Sequence, residues 1–108
     1  MYVTDLIGKP FSEMKCWDLV REYYKRAGKE LPDYKELILK GEAYPGDVVR
    51  EIQEPVPGCI CVYSLKCAGI DHVGIYLGNN KMIHATEKNG VCIEPYSRYI
   101  RRLKGLYK

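Results

Sequence analysis

The stretch from Asp71 to Ala85 constrains the fold of this chain more than any other part of it. Along an extended backbone His72, Gly74 and Tyr76 fall on one face, while Val73, Ile75 and Leu77 fall on the other. Gly78-Asn79-Asn80 has the composition of a tight turn, and Met82-Ile83-His84-Ala85 follows it. The pattern predicts an antiparallel hairpin whose strands carry both histidines of the sequence. So short a hairpin brings the imidazoles of His72 and His84 together as near neighbours on one face of a sheet.

Upstream, Met1 to Phe11 reads as a lead-in that turns at Gly8-Lys9-Pro10. Ser12 is the predicted cap of a helix, with Glu13 suited to its positive end. Cys16, Leu19, Val20, Tyr23 and Ala27 recur at helical spacing, so Cys16 opens the stripe that faces the core, and Gly28 closes the helix. Tyr23 and Tyr24 are read as packing residues. A second, shorter helix is expected from Tyr34 to Lys40, stopped by Gly41. Between Pro45-Gly46 and Pro55-Val56-Pro57-Gly58, the segment Asp47 to Gln53 reads as either a strand or an irregular loop. Cys59 to Leu65 is an apolar run typical of a buried strand. Asn89-Gly90 turns the chain into a strand from Val91 to Glu94, ended by Pro95, and Leu103 to Tyr107 is expected as a closing strand at the sheet edge. Helices first and antiparallel strands after them give an α+β fold. With 108 residues, no internal repeat and no linker, the chain is expected to be one domain.

Composition narrows the partners. A formal charge of +3 is too small to argue for nucleic acid, although Arg98, Arg101, Arg102, Lys104 and Lys108 make the C-terminal part locally basic. That basic run is read first as a solvated face, and second as a contact for an anionic polymer such as a cell wall or a membrane surface. No window reaches the ~20 apolar residues of a membrane helix. Asp5 stands where a signal peptide would have its apolar core, so synthesis in the cytoplasm without a signal peptide is the expectation. Five cysteines cannot all pair within one chain, which fits a reducing compartment.

A cysteine at a helix start meets unpaired backbone amides that favour its thiolate. Lowering a thiol pKa from about 8.5 to about 5 takes roughly 5 kcal/mol, and a helix end supplies at most about 2. The rest has to come from an adjacent cation. His72 is the candidate, with His84 accepting a proton from its other ring nitrogen and so orienting it. The N–H of Cys16 itself is placed to donate to an oxyanion formed in acyl transfer. Tyr76, on the His72 face, is the tyrosine expected to line a cleft.

At this point the chain resembles the NlpC/P60 family of papain-like cysteine peptidases, and in particular its short phage-associated branch. The matching pieces are Leu6-Ile7-Gly8-Lys9-Pro10-Phe11, Cys16-Trp17-Asp18-Leu19-Val20-Arg21, Gly28 with Leu31-Pro32-Asp33-Tyr34, Pro57-Gly58, His72-Val73-Gly74-Ile75-Tyr76-Leu77-Gly78, Met82-Ile83-His84-Ala85 and the Gly105-Leu106-Tyr107 ending. They stand in the family's order and cover nearly the whole chain. The resemblance implies a papain-like α+β fold with N-terminal helices packed on an antiparallel sheet. It implies Cys16 as nucleophile, His72 as general base and His84 as the group that orients it. It implies peptidoglycan stem peptides as substrate, phage tail proteins as partners, action at the bacterial wall as part of a virion, and no metal or organic cofactor. Lys15, Trp17 and Asp18, which flank the nucleophile, are expected with Tyr76 to contact substrate.

Three departures from the family pattern keep other readings open. Lys15 replaces the aspartate that commonly precedes the cysteine and is linked to recognising a free amine. Trp17-Asp18 stands where the family commonly has Ser-Gly or Trp-Gly, and Cys59 replaces an aspartate after Pro57-Gly58. The upstream aromatic is either Phe11 or Tyr2. One alternative keeps the fold but has a degenerate cleft in a tail or wall-binding component. Another is an amidase acting on a different acyl group. A third is a metal site from Cys59, Cys61, Cys67 and His72, although Cys-x-Cys is not the usual zinc spacing. Otherwise Cys59, Cys61, Cys67 and Cys92 are packing residues.

Overall fold

The computed structural model describes residues 3–33, 49–66 and 68–108. Tyr2, Cys67 and the helix expected from Tyr34 to Lys40 lie outside the described residues.

The helix α1 runs from Cys16 to Arg26. Its N-cap is Lys15 and not Ser12. The Pro10 carbonyl accepts the N–H groups of both Glu13 and Met14, at 2.9 and 3.1 Å, so the chain is still in a tight turn at Ser12. Asp18 then reaches back to accept the Lys15 N–H at 3.0 Å, which is half of a capping box. At the other end Gly28, with φ +94°, closes the helix as expected. Its N–H bonds Lys25 O at 3.0 Å while Lys29 N–H bonds Tyr24 O at 2.8 Å, a Schellman arrangement. The buried stripe is Cys16, Trp17, Leu19, Val20 and Tyr24. Tyr23 is only half-buried and Ala27 is exposed, in contrast to the predicted spacing. Tyr24 takes the inward place because its hydroxyl donates to the buried Gly58 carbonyl at 2.8 Å.

Six strands form one antiparallel sheet: β1 Glu51–Ile52, β2 Ile60–Tyr63, β3 His72–Gly78, β4 Lys81–Thr86, β5 Gly90–Pro95 and β6 Leu103–Tyr107, in the order β1-β6-β2-β3-β4-β5. The hairpin of β3 and β4 turns through Asn79 and Asn80, both in the left-handed region at φ 52° and 61°, as a right-twisted two-residue turn requires. The segment Asp47 to Gln53, left open by the sequence, contributes the two-residue strand β1. β6 is interior, whereas the sequence predicts it at the sheet edge. A 3-10 segment, Tyr96–Arg102, carries the chain away from β5 across one face of the sheet, and β6 then pairs with both β1 and β2. With neighbours on both sides, β2 is buried along its whole length.

The sheet separates two apolar layers. On one face α1 packs against Ile60, Val62, Val73, Ile75, Ile83, Ala85 and Val91. On the other lie Cys59, Cys61, Tyr63, Met82 and Leu106, with Tyr96 and Tyr99 of the 3-10 segment packed over them. The register pairs Cys61 with Gly74 and Tyr63 with His72, and the histidines belong to this second face.

Candidate active site

Strand alternation aims His72, Gly74, Met82 and His84 at the same side of the sheet. Gly74 lies between the imidazoles and is bare for a physical reason. A Cβ on it would come within 2.9 Å of Met82 Sδ and 3.1 Å of His84 Cβ. The missing side chain lets His84 lean across β3, and His72 Nε2 meets His84 Nδ1 at 2.8 Å. The far nitrogen of His84 lies 2.7 Å from Glu94 Oε1 on β5. Glu94 is held in turn by the Tyr99 hydroxyl at 3.1 Å and by Arg98 Nη1 at 3.2 Å.

This chain of contacts has one consistent proton order. Burial raises the Glu94 pKa, but the hydrogen bonds from His84 and Tyr99 and the charge of Arg98 outweigh it and hold the carboxyl below its ordinary range. An ionised carboxylate only accepts, so His84 donates through Nε2–H and offers Nδ1 as a lone pair. His72 therefore donates through Nε2–H, and its Nδ1 is unprotonated. Burial, assisted by the neighbouring His84, depresses the His72 pKa to about 4. Burial also lowers that of His84, against the pull of Glu94.

Cys16, His72 and His84 line one cleft of about 560 Å³. Cys16 reaches it from the first turn of α1, with 7% of its surface exposed, against 9% for His72 and 1% for His84. Burial pushes the Cys16 thiol up, although the backbone N–H groups of Val73, Trp17 and Cys16 itself favour the thiolate. The lowered thiol pKa expected from a helix start is thus reversed: desolvation exceeds what the helix end supplies. Burial thus favours the neutral form of both the thiol and the imidazole.

The four residues expected to contact substrate divide. Lys15 lines the cleft, its ammonium 4.9 Å from the centre of the Phe11 ring. Trp17 lies at the cleft wall but is fully buried, its indole N–H donating to Pro32 O at 2.8 Å. Asp18 is turned away from the cleft and caps α1. Tyr76 also lies off the cleft, edge-on to Tyr96 with ring centres 5.0 Å apart. Of the two upstream aromatics, Phe11 is in the cleft wall. Glu94 and Tyr99 were not singled out from the sequence. The signal was present in the alternation of Val91 to Glu94, which puts Glu94 on the His84 face once the register of the Asn89-Gly90 turn is known. Cys59, Cys61 and His72 form no ligand cluster among the described residues.

The sequence profile of the NlpC/P60 family matches residues 6–104. The chain belongs to the NlpC/P60 family. Solved structures agree on the fold. An NLP/P60 family protein similar to a lipoprotein, from Staphylococcus aureus, superposes with a TM-score of 0.76 at 21% identity, over 99% of this chain and 38% of that one. The NlpC/p60 domain of the peptidoglycan hydrolase SagA gives 0.72 at 17% identity, over 99% and 92%. NlpC1 from Trichomonas vaginalis gives 0.72 at 21%, over 97% and 40%. This NlpC/P60 chain thus spans under two-fifths of the staphylococcal protein and two-fifths of the Trichomonas one. A comparison with curated protein sequences finds no match.

Proposed function

We propose that this NlpC/P60 chain is a single catalytic domain, a cysteine hydrolase that cleaves an amide bond in peptidoglycan stem peptides. The observation that carries the reading is the shared cleft, in which Cys16 stands with two imidazoles already bonded to each other at 2.8 Å. His72 Nδ1 takes the Cys16 proton as the sulfur attacks the carbonyl carbon. The oxyanion is met by the Cys16 N–H at the positive end of α1. His72 then gives its proton to the leaving amine, and a thioester remains. The same imidazole activates the water that hydrolyses it, which restores the thiol. While His72 is an imidazolium, His84 accepts its Nε2–H, and Glu94 offsets the charge from the far end of the row.

Lys15 is the substrate-side determinant at the nucleophile. Its ammonium favours a carboxylate near the scissile bond and disfavours a free amine. The family membership and the SagA likeness support a wall substrate, and the motif resemblance favours a phage setting with tail proteins as partners. Digestion of purified peptidoglycan fragments by wild type and Cys16→Ala, read by mass, tests the reaction. New cleavage products from wild type alone are expected, and identical digests from the two proteins would overturn it.

A further inference from the structure

The relay ends in a group of side chains that the proposed hydrolysis uses only in part. His84 Nε2, Cys92 Sγ and a Glu94 carboxylate oxygen all lie within 4.8 Å of one another. Glu94 Oε1 is 2.7 Å from His84 Nε2 and 3.8 Å from Cys92 Sγ. Nitrogen, thiolate and carboxylate are the donor set of zinc, and a tetrahedral ion with bonds of about 2.0–2.3 Å holds its ligand atoms roughly 3.3–3.7 Å apart. Binding needs the His84–Glu94 contact to open by about 0.6 Å and Cys92 Sγ, which is 3.8 Å from Glu94 Oε1 and within 4.8 Å of His84 Nε2, to turn onto the ion.

The surroundings are those of a supported metal site. Glu94 Oε2 is anchored by Arg98 Nη1 at 3.2 Å, and the Tyr99 hydroxyl sits 3.1 Å from Oε1 and 3.3 Å from Oε2, so the carboxylate is held in place and Oε1 takes an ion as Tyr99 shifts wholly onto Oε2. The second nitrogen of His84 is hydrogen-bonded to His72, as metal-ligating histidines require of an outer partner. Cys92 is half-exposed on the edge strand β5, so the group is open to an ion from that side.

We propose that His84, Cys92 and Glu94 form an inhibitory site for zinc or a similar divalent transition metal. The inference rests on the hydrolase reading for its consequence, but not for the binding itself. A metal on His84 Nε2 displaces the hydrogen from that atom, and neutral His84 must then carry its hydrogen on Nδ1. Nδ1–H donates to His72 Nε2, which has to become the acceptor, so the His72 hydrogen moves to Nδ1. Both imidazoles keep one hydrogen each and the single proton lost to solvent is that of the Cys92 thiol. His72 Nδ1–H can no longer take a proton from Cys16, and the general base is off. The ion acts without touching the nucleophile.

Cobalt(II) is the spectroscopic probe, added to the full chain, and zinc is its competitor. The expected results are a thiolate-to-cobalt charge-transfer band at stoichiometric metal that zinc abolishes, release of a single proton per ion, and loss of the band in Cys92→Ser. Electrophile labelling of Cys16, read site by site by mass, is compared with and without zinc in each protein. Zinc slows it by about tenfold or more in wild type and has little effect in Cys92→Ser. A wild type without the band, or a Cys92→Ser protein that keeps both band and slowing, would falsify the site. Cys16 labelling that is slow without zinc and indifferent to His72→Ala would instead remove the hydrolase reading, and the cobalt band would still decide the metal site.

Discussion

Glu94 is where a single atom decides the state of the proposed base. Its carboxylate accepts from His84 at 2.7 Å and can only accept, so it fixes which nitrogen of each imidazole carries hydrogen. Glu94→Gln offers an amide whose NH2 can donate to His84 Nε2, which allows the opposite hydrogen order along the row. Triad enzymes that lose tautomer control in this way lose up to ~10⁴ in turnover, and this outer position is expected to cost at least about tenfold. The 15N shifts of His72 should move from an Nε2–H to a mixed-tautomer pattern while the melting temperature changes little. Normal turnover together with a redistributed tautomer would show that turnover does not depend on the hydrogen order that Glu94 sets. The same reasoning explains why Glu94 was hard to find in the sequence. A lone glutamate beside a proline has no periodicity of its own, and only the pairing of β4 with β5 sets it beside His84.

At the scale of elements, the hairpin was legible because its alternation, turn and histidine spacing all state the same geometry. Gly74 is its least obvious part. Ala at this position would drive a methyl group to within 2.9 Å of Met82 Sδ and 3.1 Å of His84 Cβ. Gly74→Ala is expected to lose about 1–3 kcal/mol by chemical denaturation and to slow Cys16 labelling, because besides Met82 the methyl crowds His84, the side chain that orients His72. A stability loss with unchanged labelling would separate packing from the relay. The helix starts later than the sequence suggests for a local reason: Ser12 has the right chemistry for a cap, but Pro10 holds the residues after it in a turn. Asp18 does the capping, so Asp18→Ala is expected to cost about 1 kcal/mol in the same assay and to leave substrate preference alone. A change of cleavage specificity in Asp18→Ala would return it to the substrate side.

For the whole molecule, the sequence could specify α+β and the order of elements, but not that the last strand would insert between β1 and β2. Strand insertion depends on where the Tyr96–Arg102 segment crosses the sheet, which no local pattern encodes. That crossing also buries the histidines. Tyr99 packs edge-on to His84 with ring centres 5.5 Å apart, and Tyr63 stands 6.0 Å from His72. The cost is a dependence of global stability on pH. The folded protein keeps His72 unprotonated down to about pH 4, whereas the unfolded chain takes up that proton near its ordinary 6.5. Within this window the unfolded state binds more protons, so stability falls as pH falls, by roughly 3 kcal/mol between pH 6.5 and 4 for this one group. His84, also lowered by burial, acts in the same direction. Urea denaturation at pH 7 and at pH 4.5 should show the loss, and His72→Gln, which cannot take up a proton, should flatten the slope relative to wild type. An equal slope in the two proteins would mean that carboxylates set the acid limit and that the imidazole is not desolvated as its burial on β3 beside Tyr63 requires.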